Sequence, residues 1–353
     1  MIPLKIQNDV MRKVKLLSIC VWGLLMITVH ATAQQRPHYT QYILNNYIVN
    51  PALTGIENYT DIKISHRNQW VGFPGAPKTI YLTVHSPIGK SDYRTTPTSF
   101  QVPGENPRGK AYWQDYNAAE AHHGIGASVI NYKTGYINRF YATVSYAYHI
   151  GLTPKLNLSA GFAGGISSIN IDASKIELAN PVDPAIGGTA TELRRIRPEL
   201  NAGLWLYSDQ FFAGFSAQQI IPQKVTLATS DFYKSTLVPH FFATAGYRFL
   251  AGDDVNIIPS AMVRYIPSMP VFYDFTVKAQ YQDRFWIGGN YRVKEGFAAM
   301  AGFNISNTFN VSYSYDVNNS KYLLQYMQRG THEIVLGFTL GNKWGDLCPT
   351  RVW

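Results

Sequence analysis

Apolar and polar residues alternate along most of the chain. From Arg139 to Ile150 the sequence reads RFYATVSYAYHI. Phe140, Ala142, Val144, Tyr146, Tyr148 and Ile150 fall on one side, and Arg139, Tyr141, Thr143, Ser145, Ala147 and His149 on the other. A period of two marks a strand whose faces meet different surroundings. The pattern returns in Val271–Gln282, where Val271, Tyr273, Phe275, Val277, Ala279 and Tyr281 oppose Asp274, Thr276, Lys278, Gln280 and Gln282. It returns again where Val311, Tyr313, Tyr315 and Val317 oppose Asn310, Ser312, Ser314 and Asp316. It predicts about fourteen strands, at Tyr59–Arg67, Lys78–His85, Gly124–Tyr132, Arg139–Ile150, Lys155–Asn170, Glu199–Tyr207, Phe211–Gln219, His240–Phe249, Val255–Tyr265, Val271–Gln282, Phe285–Val293, Gly296–Ile305, Phe309–Val317 and Glu333–Leu340.

A soluble sandwich also alternates. Three features favour a closed barrel in a membrane instead. Aromatic residues gather near strand ends, as an interfacial girdle requires. Connections alternate in length: Gly151–Pro154, Ser208–Gln210, Leu250–Asp254, Gln282–Arg284 and Ser306–Thr308 are tight and follow even-numbered strands, whereas Ile171–Pro198, Ile220–Pro239 and Asn318–His332 are long and follow odd-numbered ones. Short turns at one end and long loops at the other mark an outer-membrane barrel. An even strand count also places both termini on the short-turn, periplasmic side. The expected fold is all-β: a transmembrane antiparallel β-barrel over residues 59–340, followed by a tail at 341–353.

Two segments break the alternation. Residues 86–123 are rich in Pro, Gly and charge, and follow an even-numbered strand where a tight turn belongs. They read either as a partner-binding excursion or lumen flap on the periplasmic side, or as an insertion without function. Residues 34–58 are not period-two and carry turn signals at Asn50-Pro51 and Gly55. Their apolar residues, Tyr42, Ile43, Leu44, Ile48 and Val49, favour a plug-like segment packed inside the barrel.

Composition fits an embedded chain. Of 353 residues 46% are hydrophobic, 14% aromatic (24 Tyr, 18 Phe) and only 15% charged. Residues 1–33 read as a signal peptide: a basic patch (Arg12, Lys13, Lys15), an apolar run from Leu16 to Val29, and a small-residue cleavage site at Ala31-Thr32-Ala33. If Met11 is the start, residues 1–10 are an upstream extension. Cleavage after Ala33 removes Cys20 and leaves Cys348 alone, so no intramolecular disulfide forms. Taking the four Lys/Arg and one Asp of residues 1–33 from the totals of 31 and 22 leaves a charge of +6, which suits anionic lipid or an acidic partner. No nucleic-acid module is present.

The sequence offers little for catalysis, and no catalytic, cofactor-binding or metal-binding residues are expected. His122 and His123 are neighbours on a strand and so point to opposite faces. No further ligand stands at metal-binding spacing. His149, His240 and His332 read as interfacial histidines near strand ends. The stretches Gly161–Gly165 (GFAGG) and Gly288–Asn290 (GGN) lack the lysine and Ser/Thr of a phosphate loop. Small residues there leave room for a bulky occupant of the lumen or bend the wall, and Gly246, Gly289 and Gly302 act in the same way.

The most specific residues lie early in the mature chain. HYTQYILNNYIVNPALTG (His38–Gly55), RNQWVGFPGAPKT (Arg67–Thr79) and the strand ending His85-Ser86-Pro87 resemble the PorP/SprF family of outer-membrane proteins. His332-Glu333-Ile334 and Cys348-Pro349 resemble its C-terminus, whereas residues 86–123 depart from its pattern. The resemblance implies a part in type IX secretion and gliding motility: helping to export or anchor a cell-surface adhesin by that protein's C-terminal domain. It implies contact with periplasmic secretion components as well as outer-membrane lipid, and no enzyme activity. Within the second block Gly72, Pro74, Gly75 and Pro77 stiffen an excursion in which Trp70 and Phe73 are rigid apolar anchors. Partner-binding or plug candidates are Tyr42, Asn50, Pro51, Asn68, Gln69, Trp70, Phe73 and Pro77. The Asn68–Pro77 stretch is either a recognition loop or plug contact, or a loop that seals the barrel top. The competing function is a diffusion channel for small solutes, apolar ones included.

Overall fold

The computed structural model describes residues 39–90, 118–172, 192–221, 223–226, 234–252, 254–267, 269–282, 284–306, 308–318 and 330–341. The expected signal peptide, the tail from residue 342 and the middle of the insertion lie outside the described residues.

Among the described residues seventeen strands follow three short 3-10 turns. They are β1 (Thr60–Asn68), β2 (Lys78–Ile88), β3 (His122–Thr134), β4 (Ile137–Thr153), β5 (Leu156–Asp172), β6 (Glu192–Tyr207), β7 (Phe211–Gln218), β8 (Gln223–Thr226), β9 (Lys234–Leu237), β10 (His240–Tyr247), β11 (Phe249–Leu250), β12 (Val255–Tyr265), β13 (Phe272–Tyr281), β14 (Phe285–Arg292), β15 (Gly296–Asn304), β16 (Phe309–Asn318) and β17 (Thr331–Leu340). Strands β8 and β9 form a separate hairpin in the β7–β10 connection. The two-residue β11 continues β10 along β12, so the two make one stave and the wall has fourteen. Each stave pairs antiparallel with its sequence neighbours, and β1 pairs with β17 to close the ring. Closure meets a physical demand, because hydrocarbon offers no water to an unpaired backbone edge.

Alternation sorts the two faces. On β4, Tyr141, Thr143, Ser145, Ala147 and His149 are buried in the lumen, while Phe140, Val144 and Tyr148 face out. On β13, Asp274, Thr276, Lys278 and Gln280 are buried, and Tyr273, Phe275, Val277 and Tyr281 face out. The outside is therefore an apolar band and the inside is polar. Val144 stands near the middle of that band and is 68% exposed. Val144→Arg is expected to lower stability by about 2–4 kcal/mol, the cost of a cation at the bilayer midplane. Equilibrium unfolding in lipid vesicles measures it, and Thr143→Arg on the facing side should respond differently because it meets no lipid.

Two boundaries move outward from the sequence reading. Strand β6 starts at Glu192, seven residues before Glu199. Its first half pairs with β5 from Asp172↔Glu192 to Gly165↔Glu199, beyond the last residue that β7 pairs with. Its Arg194, Arg195, Arg197 and Pro198 interrupt the alternation and hid it. Strand β2 runs on to Ile88 and β3 begins at His122, so the insertion spans 89–121 rather than 86–123. The insertion leaves and returns at the short-turn end, where the Ala118 N–H donates to the Pro154 carbonyl at 2.7 Å.

Candidate functional site

Residues 39–59 fill the lumen. The segment starts near the long-loop end, where Thr40 meets Arg67 and Glu333, and descends to Gly55, whose N–H donates to His85 Nδ1 at 3.2 Å. There it turns into β1, so β1 begins and β17 ends at the short-turn end. Three 3-10 turns, Tyr42–Leu44, Asn46–Ile48 and Pro51–Leu53, keep it short and irregular. Such a backbone leaves many polar groups unpaired, and inside a barrel the wall must satisfy them. The wall does so. Ser216 Oγ donates to the Val49 carbonyl at 2.8 Å, Gln218 Nε2 to the Ile48 and Val49 carbonyls at 3.0 and 2.7 Å, and Ser159 Oγ to the Ala52 carbonyl at 2.7 Å. The apolar side chains of the segment enter two clusters. Tyr42, Ile43, Leu44, Ile48 and Val49 pack with lumenal Tyr81, Tyr141, Phe242, Met262 and Trp286. Ala52, Leu53 and Ile56 pack with Trp205, Tyr207 and Phe212. A gap of about 20 Å³ beside Asn45, Asp61, Lys63 and His85 leaves room for about one water.

The Asn50-Pro51 turn is the tightest joint. Asn50 Oδ1 accepts from the Ala52 N–H at 3.0 Å and caps the third 3-10 turn, while Pro51 takes its first position, where a missing N–H costs nothing. The amide Nδ2 donates to the Leu204 and Phe215 carbonyls of the wall at 3.0 and 3.3 Å. Glycines make this approach possible. A Cβ on Gly203 would strike the Asn50 amide, one on Gly161 would lie 2.5 Å from the Pro51 carbonyl oxygen, and one on Gly124 would strike the Thr54 carbonyl. Thus Gly161 of the GFAGG stretch leaves space for the lumen occupant. Gly246 and Gly302 instead make room for the wall rings of Phe212 and Trp286, and a Cβ on Gly289 would meet only the Ala298 carbonyl oxygen, at 4.0 Å. Tyr42 is buried, with its hydroxyl 3.3 Å from Thr276 Oγ1.

An ionic latch holds the upper end. Arg67, 2% exposed, donates from Nη1 to Glu333 Oε2 at 2.8 Å and from Nη2 to Asp316 Oδ2 at 2.7 Å, and also reaches the Thr40 hydroxyl. Thr40 donates its N–H to Glu333 at 3.0 Å and its hydroxyl to Asp316 at 2.5 Å. Arg292 bonds Asp316 at 3.1 Å and Thr40 Oγ1 at 2.5 Å. Arg67, Thr40, Asp316, Glu333 and Arg292 were not among the candidates from sequence. Their signal was present as charges on lumen-facing positions, but a period of two does not say which charge meets which.

Asn68, Gln69, Trp70, Phe73 and Pro77 lie elsewhere, at the long-loop rim. Trp70 stands at φ 51, a left-handed conformation rare for a bulky residue. The Gln69 N–H donates to the Pro77 carbonyl at 2.9 Å and the Phe73 N–H to the Trp70 carbonyl at 3.0 Å, so the connection is a pair of tight turns. Two flanking contacts pin it sideways. Val71 N–H donates to the Gly330 carbonyl at 3.0 Å, and Gly135 N–H to the Gly75 carbonyl at 2.8 Å. Phe73 is 46% exposed, and Gly72 to Gly75 all face solvent. The connection thus caps the rim over β17 to β3. The link from this sequence block to the lumenal segment runs through Arg67, one residue before Asn68.

His122 and His123 point to opposite faces. His122 is buried and stacks on His149 at 4.5 Å, whereas His123 faces out and bonds the Tyr146 hydroxyl at 2.6 Å. His332 also faces out, 2.6 Å from the Tyr313 hydroxyl. His149 and His240, expected at the interface, are buried in the lumen. His149 shares the parity of Ser145, and position near a strand end misled where parity decides. Its Nε2–H donates to the Thr54 carbonyl at 2.8 Å, and its Nδ1 lies 3.1 Å from the Tyr207 hydroxyl. Both nitrogens serve the lumenal segment and the wall. Among the described residues no group of three or more His, Cys, Asp or Glu is placed to hold a metal ion.

A family model described as type IX secretion system membrane protein PorP/SprF matches residues 31–338. No curated protein matches the sequence. Solved structures resemble the chain at low identity. The toluene transporter TbuX of Ralstonia pickettii is 11% identical, with 83% of this chain and 92% of that one covered and a TM-score of 0.45. The outer membrane protein Omp33 of Acinetobacter baumannii is 9% identical, with 81% and 99% covered and a TM-score of 0.43. A FadL homologue of Pseudomonas aeruginosa is 10% identical, with 82% and 91% covered and a TM-score of 0.41.

Proposed function

The chain belongs to the PorP/SprF family of type IX secretion system membrane proteins and resides in the outer membrane, and from that premise we propose that it helps export or anchor a cell-surface adhesin through the adhesin's C-terminal domain. The barrel serves as a fixed anchor, not a pore and not a catalyst. The observation that carries this reading is the lumen itself, occupied from Thr40 to Tyr59 by the chain's own backbone and bonded to the wall along its length. A conduit would keep that volume for its solute. With the lumen filled, surfaces for partners are left at the two ends. Facing outward, the rim connection presents Phe73 beside Trp70, rigid apolar groups of the kind that anchor protein contacts. Facing the periplasm, the ends of the insertion flank the foot of the lumenal segment, where Lys90 Nζ donates to the Ile56 carbonyl at 3.0 Å. We assign the insertion to contact with periplasmic secretion components.

Two measurements test the assignment. In a planar bilayer the purified barrel should pass no steady ionic current; a stable open conductance would favour the diffusion channel for small solutes. In cells, deleting the gene should keep one adhesin off the surface while other cargo of the system still exits. Failure of all cargo would point to a core role in the machine.

A further inference from the structure

We propose that the cleft beneath the β1–β2 connection binds the phosphorylated headgroup of an outer-leaflet lipid. The cleft measures about 910 Å³, within the range of ~300–1,000 Å³ that holds small-molecule ligands. Val71, Gly72, Phe73, Gly75 and Ala76 roof it. Its floor is one rung of the wall. Asn68 pairs with Lys78, Lys78 with Lys133, Lys133 with Asn138 and Asn138 with Asn170, and the rung continues to Arg194 on β6.

Parity places this rung outside the barrel. Arg67, Thr79 and Ile130 are buried on the lumen face, so Asn68, Lys78 and Lys133 point the other way. Along β2 the next outward residues toward the bilayer are Ile80 and Leu82, and along β4 they are Phe140, Ala142 and Val144; Ile80, Leu82, Phe140 and Val144 are exposed. The rung therefore crosses the upper border of the apolar band at the long-loop end, which in an outer-membrane barrel is the outer leaflet.

Lys78 and Lys133 stand directly opposite each other on paired strands, ~5 Å apart at Cα. Like charges so placed repel, and neither forms a salt bridge among the described residues. The carboxylate lining the cleft, Asp172, is on β5, three strands from Lys78, and already has an interaction of its own. Among the described residues no carboxylate answers the pair, and an anion from outside the chain would balance it. A lipid phosphate is the anion that membrane depth supplies there, and Ile80 and Phe140, exposed on the bilayer side of the rung, offer apolar contact for the first methylenes of its tails. This inference is independent of the adhesin assignment.

The test titrates the barrel, folded in mild detergent, with bisphosphorylated lipid A, with fully dephosphorylated lipid A, and with inorganic phosphate. Binding is read by native mass spectrometry and by the shift in thermal unfolding. Saturable binding of the bisphosphorylated lipid is expected. Lys78→Gln/Lys133→Gln should weaken it about 30-fold, from roughly five- to sixfold per lysine. Lys78→Arg/Lys133→Arg should retain it. Lys155→Gln, at the opposite end, should leave it unchanged. Heat-modifiable gel mobility verifies that each variant is folded. Equal affinity in the double Gln variant overturns the proposal, as does equal loss in Lys155→Gln. Equal binding of the dephosphorylated lipid, or displacement by inorganic phosphate at the same concentration as the lipid, overturns it too, the last by showing a free anion to be the ligand.

Discussion

Arg67→Ala is expected to lower the unfolding free energy by about 3 kcal/mol and to loosen the upper end of the lumenal segment. The guanidinium is buried and shared by Asp316, Glu333 and the Thr40 hydroxyl. Removing one partner of a buried pair leaves an uncompensated charge, at a cost of about 3–5 kcal/mol. The lower end of that range applies because Asp316 keeps Arg292 at 3.1 Å, so Glu333 is the carboxylate left without a cation. A second variant separates charge from packing. Arg67→Ala/Glu333→Gln removes the stranded charge and should recover part of the loss, while Glu333→Gln alone should cost less than Arg67→Ala. The denaturant midpoint of the barrel in lipid vesicles measures all three. An Arg67→Ala midpoint equal to that of the parent would show that the latch contributes nothing to the fold.

The same residues show what a sequence states and what it withholds. The staves were legible because lipid outside and a polar lumen inside impose opposite demands on alternate positions; β13 and β16 obey both along their length. Where charges and a proline break the alternation the signal ends, and so the first half of β6, with Arg194, Arg195, Arg197 and Pro198, was missed. The lumenal segment was legible from an apolar run without a period, since Tyr42, Ile43 and Leu44 need burial that no strand face supplies. Its partners were not legible. Thr40 and Glu333 lie 293 positions apart, and their meeting follows from which stave stands beside which. Register fixes that, and register emerges only when the ring closes. Trp70 gives a further case: nothing in an Asn-Gln-Trp stretch announces a tryptophan at positive φ. Yet that turn directs the connection sideways over the rim and leaves Arg67, not Asn68 or Gln69, as the residue that reaches the lumen.

Gly161→Val is expected to unseat the lumenal segment and to open a conductance that the parent lacks. A Cβ at this position would lie 2.5 Å from the Pro51 carbonyl oxygen and 2.7 Å from Ala52 Cα, both backbone atoms that no side-chain rotation moves away. The wall cannot yield, because β5 is paired along its length with β4 and β6 on both sides. The segment must yield, and three contacts go with it: the Asn50 cap, the Ser159 bond to Ala52 and the fit of Pro51 against the wall. Overpacking a side chain costs about 1–3 kcal/mol, and a collision with two backbone atoms belongs at the top of that range. Once displaced, the segment leaves a lumen lined by Ser145, Ser159, Thr276 and other polar groups, which water and ions enter readily. Gly164→Ala is the matched control, on the same strand but facing out with nothing within 4 Å, and it should remain closed. Single-channel recording in a planar bilayer distinguishes the two. A Gly161→Val barrel that folds, as judged by gel mobility, and stays as silent as Gly164→Ala would mean that the lumen is blocked by something other than the seating of Pro51 and Ala52.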